Sequence, residues 1–173
     1  MILETERLRL EPFAQQHVAA LHAMDSDPEV MRFIGPLRTL DETRDGIARV
    51  SERWQRLGYG WWAVVDKVSR EILGAACVQN VANVEDAPLE VGWRLATSAQ
   101  GQGYATEAGS AALRFAFGHL HADLVLAVAD QKNIASHNVM RRLGMSYRGI
   151  ETHYDLPLTT YVKHRNASVS VPS

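Results

Sequence analysis

One cysteine, three lysines and no long apolar run: what this chain lacks narrows its class before any motif is read. Cys77 alone cannot close an internal disulfide, and one thiol cannot build a structural zinc centre. A reducing, cytoplasmic setting is therefore expected. No stretch approaches the roughly 20 apolar residues of a membrane helix. The opening ten residues carry Glu4, Glu6, Arg7 and Arg9, unlike a secretory signal. Cations do not predominate either. Eighteen Lys plus Arg stand against 20 Asp plus Glu, a net charge of −2, which argues against a broad nucleic-acid footprint. His119 and His121 have no acidic or thiol pattern beside them, so no metal is expected. The other histidines, His17, His22, His137 and His153, are scattered and read mainly as surface residues.

What is present fits one globular domain: 173 residues, 46% hydrophobic and 22% charged. Leu8 and Leu10 alternate with charged neighbours, predicting a strand over 6–11. Val18, Leu21 and Met24 predict a helix over 14–24, and Asp27-Pro28 opens another. Thr39 with Glu42 has capping-box form for a helix reaching Leu57, stopped by Gly58 or Gly60. Runs 61–65 and 72–78 read as a hairpin. Leu89, Val91, Trp93 and Leu95 alternate with Glu90, Gly92 and Arg94, a period-2 strand. After it come Gln100-Gly101-Gln102-Gly103-Tyr104-Ala105 and an Ala-rich helix to about His119. A buried strand at 124–129, a helix over 133–143 capped by Gly144, and strands near 145–151 and 158–164 follow. The expected class is α/β, with a mixed, mostly antiparallel sheet of about six or seven strands. Residues 167–173 are expected to form a flexible tail.

The chemistry concentrates at the turn after strand 89–95. Backbone N–H groups at a helix start lack internal partners, and glycines let a phosphate approach them. A P-loop is excluded, because no Lys lies between Lys67 and Lys132. A dinucleotide fingerprint lacks its third small residue, since Thr106 stands there. Asp130 as a ribose-binding acid still leaves a nicotinamide-dependent oxidoreductase as an alternative.

The third reading rests on resemblance. Gln100 to Ala105 matches the acyl-CoA signature Q/R-x-x-G-x-G/A of the GNAT superfamily of N-acetyltransferases. Glu90-Val-Gly-Trp-Arg-Leu95, Asn133-x-x-Ser136 and Leu143-Gly144-Met145 resemble its flanking segments. Glu4 to Leu10 and Val30-Met-Arg-Phe33 resemble the RimJ/RimL-like subgroup, which acetylates ribosomal-protein N-termini. The likeness spans roughly residues 3–165, which implies one N-acetyltransferase domain over 1–166 whose sheet splays between strands 89–95 and 124–129.

The resemblance implies acetyl-CoA as cosubstrate. Backbone groups of Trp93, Arg94 and Leu95 would pair with the pantetheine arm. The segment Gln100, Gly101, Gln102, Gly103, Tyr104, Ala105 and Thr106 would hold the pyrophosphate, and Asn133 would bind the cofactor's inner end. The implied reaction is direct attack of a neutral amine on the thioester through a tetrahedral intermediate, with a small-molecule amine or a protein N-terminus as acceptor. Glu90, on the polar side of its strand, is the candidate base, against a solvated glutamate paired with Arg94. Many members have a Tyr where Met140 stands here, so Ser136 is the candidate acid, against a helix-start hydroxyl that satisfies a backbone amide. Trp62 and Phe33 are candidate acceptor-binding residues, with Tyr59 and Trp61 as further aromatics. Arg141 and Arg142 read as helix C-terminal cations, and Cys77 as a core residue. A non-catalytic acyl-CoA sensor is the other alternative. The chain is expected to be a monomer or a homodimer.

Overall fold

The computed structural model describes residues 1–165, so the expectation for 167–173 lies outside them. One sheet organises the chain, with strand order β1-β2-β3-β4-β5-β6-β8-β7. The strands are β1 (Leu3–Glu4), β2 (Leu8–Pro12), β3 (Trp61–Asp66), β4 (Ile72–Asn80), β5 (Leu89–Leu95), β6 (Leu124–Ala129), β7 (Ser146–His153) and β8 (Leu156–His164). That is eight strands where six or seven were expected. The additional one, β1, has two residues, too few to display an alternation.

The helices are α1 (Val18–Asp25), α2 (Pro28–Met31), α3 (Leu40–Leu57), α4 (Tyr104–Gly118) and α5 (Ile134–Arg142). Their ends follow local chemistry. Thr39 Oγ1 accepts from the Glu42 amide while Glu42 Oε2 accepts from the Thr39 amide, closing the capping box of α3. Gly58, at φ 75°, ends that helix. Asp27 accepts from the Glu29 amide and caps α2.

Period-2 alternation sends side chains to two cores. Trp62 and Val64 of β3, with Ala76, Val78 and Val91, pack under α4. Ala63, Val65 and Ala75 face the other way, against Leu21 and Met24 of α1 and Ile47 of α3. The alanine-rich face of α4 lets it lie close to the sheet. Gly109 adds to this closeness: an added Cβ would sit 2.9 Å from Leu143 Cδ1 and 3.3 Å from Trp93, and the Leu143 side chain would have to shift. The amino terminus is tied to the same helix: Thr5 Oγ1 and Arg7 both donate to the Glu107 carboxylate. Burial pushes Glu107 up, but those hydrogen bonds outweigh it and hold the carboxyl below its ordinary range.

Every strand pairing is antiparallel except β5 with β6. That parallel pair matches only Leu89 with Val125 and Glu90 with Leu126, and then the strands part. Along β4, by contrast, β5 pairs over its full length from Leu89 to Leu95. The expected splay is therefore present. Among the described residues, no strand lies beside the β6-facing edge of β5 beyond Glu90.

Candidate active site

Two clefts meet where β5 leaves β6. The larger, about 1080 Å³, runs from Trp93, Arg94 and Leu95 along the start of α4 to Asn133 and Ser136 on α5. The smaller, about 680 Å³, lies on the α1–α3 side of the sheet, with Trp61, Cys77 and Glu90 in its wall. Phe33, Ile34, Trp93, Arg94, Asn133 and Ser136 border both.

The larger cleft is shaped by backbone. Gly101 and Gly103 take φ of 75° and 85°, a region that costs an L-residue roughly 1–2 kcal/mol. A Cβ at Gly101 would meet nothing within 4 Å, so the conformation, and not the space, calls for glycine. The turn is braced from outside. Gln100 Nε2 donates to the Leu95 carbonyl, Gln102 Nε2 to that of Ser98, and Arg7 Nη1 to that of Gln102. Tyr104 lies under the Arg7 guanidinium, 4.4 Å from its ring centre. The side chains of Gln102 and Tyr104 thus hold the turn, whereas Gln100, Gly101, Gly103, Ala105 and Thr106 line the cleft.

This cleft fits a phosphate-bearing extended molecule on its own evidence. α4 opens at Gly103 with no side-chain cap, leaving its first amides unpartnered. Thr106 Oγ1 is buried without a hydrogen-bond partner. The unpaired edge of β5 offers backbone groups that an extended chain can join as a strand would.

The smaller cleft is built from side chains. Glu90 is 5% exposed and points away from Val91 and Trp93, as the alternation predicted. Gln79 Nε2 donates to Glu90 Oε1 at 2.8 Å, and the Tyr154 hydroxyl donates to the same oxygen. Trp61 Nε1 donates to Gln79 Oε1 at 2.8 Å, which fixes the orientation of that amide. Burial pushes the Glu90 carboxyl above its ordinary value, against the lowering effect of the hydrogen bonds from Gln79 and Tyr154. A carboxyl raised in this way is a better proton acceptor once ionised.

Several expectations need correction. Glu90 is neither solvated nor paired with Arg94. The Arg94 guanidinium turns to Asp25 instead, 2.7 Å away, with both side chains buried. Trp62 does not line the acceptor cleft. It is fully buried under α4, edge-on to Trp54 and Phe115, and donates to the Met1 carbonyl. Its neighbour Trp61 faces the cleft, since consecutive strand residues take opposite faces. The helix-start role weighed for Ser136 falls to Asn133, whose Oδ1 accepts from the Ser136 amide. Asn133 and Ser136 nevertheless both border the junction, as does Phe33. Cys77 is 1% exposed, and burial pushes its thiol well up, which disfavours a thiolate nucleophile. His17 and His137 are buried, not at the surface.

Tyr154 escaped the sequence reading. Residues 154–158 are expected from the sequence only as a loop that helps select the acceptor, whereas Tyr154 and Asp155, at φ 54° and 59°, form the two-residue turn of the β7–β8 hairpin. Such turns favour Asn or Gly, so a tyrosine there gives little sequence signal. The left-handed conformation delivers its hydroxyl to Glu90.

The sheet thus diverges over a glycine-opened helix start, with a buried carboxyl at the divergence, the arrangement that the acyltransferase resemblance implies. Residues 7–146 match the family model described as an acetyltransferase (GNAT) domain. The chain is 28% identical to YkkB of Bacillus subtilis over 160 residues, 92% of this chain and 93% of that one. It superposes on an acetyltransferase from Agrobacterium tumefaciens with a TM-score of 0.82 at 24% identity, covering 95% of each chain. The RimL ribosomal-protein acetyltransferase in complex with coenzyme A gives 0.78 at 20% identity, over 95% of this chain and 98% of that one. The chain belongs to the GNAT acetyltransferase family and is an acetyl-CoA-dependent acyltransferase. This sets aside the nicotinamide alternative.

Proposed function

We propose that this enzyme moves the acetyl group of acetyl-CoA to a primary amine by direct attack, with Glu90 as the base. The observation that carries this reading is the buried Glu90 in the wall of the smaller cleft, at the last residue where β5 pairs with β6. Both of its hydrogen bonds go to Oε1, which leaves Oε2 to accept a proton. An ammonium has no lone pair, so the amine must lose its proton before or during attack. Gln79 and Tyr154 hold the carboxylate in place for that step.

The larger cleft receives acetyl-CoA. Amides from Gly101 to Thr106 meet the pyrophosphate, and the free edge of β5 from Trp93 to Leu95 meets the pantetheine arm. A backbone N–H near Leu95 stabilises the oxyanion of the tetrahedral intermediate. Met140 is 1% exposed and carries no transferable proton, so protonation of the leaving thiolate falls to Ser136, at the border of both clefts. Asn133, which caps α5, sets the position of Ser136 and of the cofactor's inner end.

Incubation with acetyl-CoA and a panel of amines and peptides, read by thiol release and product mass, tests the reading. Acetylated product with stoichiometric CoA supports it. CoA binding without transfer to any amine would convert the protein into an acyl-CoA sensor.

A further inference from the structure

The acceptor cleft has a charge arrangement that chain order hides. Gly46, Arg49 and Arg53 recur along one side of α3 and all line the cleft. Arg38, from the segment before α3, reaches the same place. A Cβ at Gly46 would lie 3.8 Å from both Arg38 Nη1 and Arg49 Nη2. Two guanidinium tips therefore stand at van der Waals distance from the same spot above a residue that has no side chain.

The nearby acids do not neutralise this spot. Asp25 is shared: it pairs with Arg94 at 2.7 Å, accepts the Thr43 hydroxyl at 3.0 Å and forms a longer ion pair with Arg38 Nη1 at 3.7 Å, so one carboxylate serves two guanidinium groups. Among the described residues no ion pair includes Arg49. Arg53 donates to the neutral Asn83 side-chain oxygen. Glu90 is engaged by Gln79 and Tyr154, and Asp130 Oδ1 accepts the Lys132 amide in its own turn. Arg94 adds a second observation: its side chain is 8% exposed and its Nε has no hydrogen-bond partner, as is true of Asp25 Oδ1 beside it.

Guanidinium groups repel each other unless an anion sits between them, and their fork geometry suits a carboxylate or a phosphate. The geometry points to an acceptor that carries a carboxylate or phosphate on the same molecule as its amine. Arg38 and Arg49 hold the anion above Gly46, while the amine faces Glu90. This rests on the acetyl-transfer reading above and narrows its substrate class. A cleft of about 680 Å³ suits a metabolite-sized molecule. Polyamines are disfavoured by the same charges.

The test uses the full chain with saturating acetyl-CoA and matched acceptor pairs. These are amino acids against their amides, phosphoethanolamine against ethanolamine, and peptides with acidic against neutral second residues, with spermidine as the cationic extreme. The anionic member of each productive pair is expected to exceed its partner at least tenfold in kcat/KM. Preference among the free amino acids or phosphoethanolamine identifies a metabolite; preference among the peptides alone identifies a polypeptide. Arg49→Gln, at an exposed position, should raise KM for the anionic acceptor about tenfold and leave KM for acetyl-CoA unchanged. Gly46→Asp supplies an internal carboxylate between the guanidinium groups and should produce the same rise with both arginines intact. Equal kcat/KM within pairs, or preference for spermidine, overturns the inference while leaving acetyl transfer standing. No turnover of any amine, with acetyl-CoA still bound, overturns the transfer reading itself.

Discussion

The two clefts that meet where β5 leaves β6 differ in what lines them. The larger cleft, proposed for acetyl-CoA, gathers residues from the amino terminus, α2, β5, α4 and α5 around one glycine-opened stretch of backbone, Gly101 to Thr106, whose turn is braced by Gln100, Gln102 and Arg7. The acceptor cleft is side chains drawn from α1, α3, β3, β4, β5 and the β7–β8 turn. Backbone recognition tolerates exchange of side chains provided the chain path holds. Side-chain recognition changes with any one contributor. The same junction can therefore keep one cosubstrate while the acceptor is free to vary.

This contrast can be broken at four places. The largest effect is expected from Glu90→Gln, which keeps the shape and removes the base. We expect kcat to fall about 10²-fold or more, with KM for acetyl-CoA unchanged. The acid limb of the pH profile should vanish with it. With Glu90 as the proposed base, that limb follows its ionisation, which burial places above the ordinary carboxylate value of 4.5. Near-parental turnover would remove Glu90 from the mechanism.

Two substitutions of about tenfold should separate the clefts by kinetic parameter. Gly101→Val forces an L-residue into φ 75° with no steric clash around it, so roughly 1–2 kcal/mol of strain should appear as weaker acetyl-CoA binding. Calorimetric titration with CoA checks this, and acceptor KM should not move. Ser136→Ala should show the reverse, a lower kcat with CoA affinity preserved. Unchanged turnover in Ser136→Ala would leave the thiolate to be protonated by water.

The smallest effect is expected from Tyr154→Phe. The ring and the turn remain, but one hydrogen bond to Glu90 is lost, worth about 1 kcal/mol or roughly fivefold in kcat. The sign of the pH shift is set by the geometry. That bond lowers the Glu90 value, so its removal should move the acid limb to higher pH. A shift to lower pH, or none, would show that the hydroxyl does not hold the carboxylate in solution.

Most of the strands and helices were legible because their signals are local. The Thr39–Glu42 capping box, the Asp27-Pro28 start and the Leu89–Leu95 alternation each depend on neighbours within a few residues, and each stands in the structure. So does the splay, which followed from family resemblance. The errors share a cause. Choosing Trp62 over Trp61 is a choice of sheet face, and a strand of apolar residues on both faces does not disclose which one a helix covers. Pairing Glu90 with Arg94 assumed that same-face neighbours along a strand interact, whereas Arg94 found Asp25 on α1. The histidines were judged by average exposure, yet His17 accepts from the Ala14 amide and His137 lies against the Asp130 carbonyl.

Chain order alone determined the α/β class, the glycine-opened helix start and Glu90 on the polar side of its strand, because each is written within one contiguous segment. Only the tertiary structure decided that Glu90 is buried under Gln79 and Tyr154, that Asp25 is shared by Arg94 and Arg38, and that Arg38 and Arg49 converge over Gly46. Between 25 and 45 six acidic residues stand against three arginines, a sum that does not say which of them face the cleft. Folding separates them, burying one acid against an arginine and leaving guanidinium groups facing the cleft, because charge acts through distance in space and not through position in the chain.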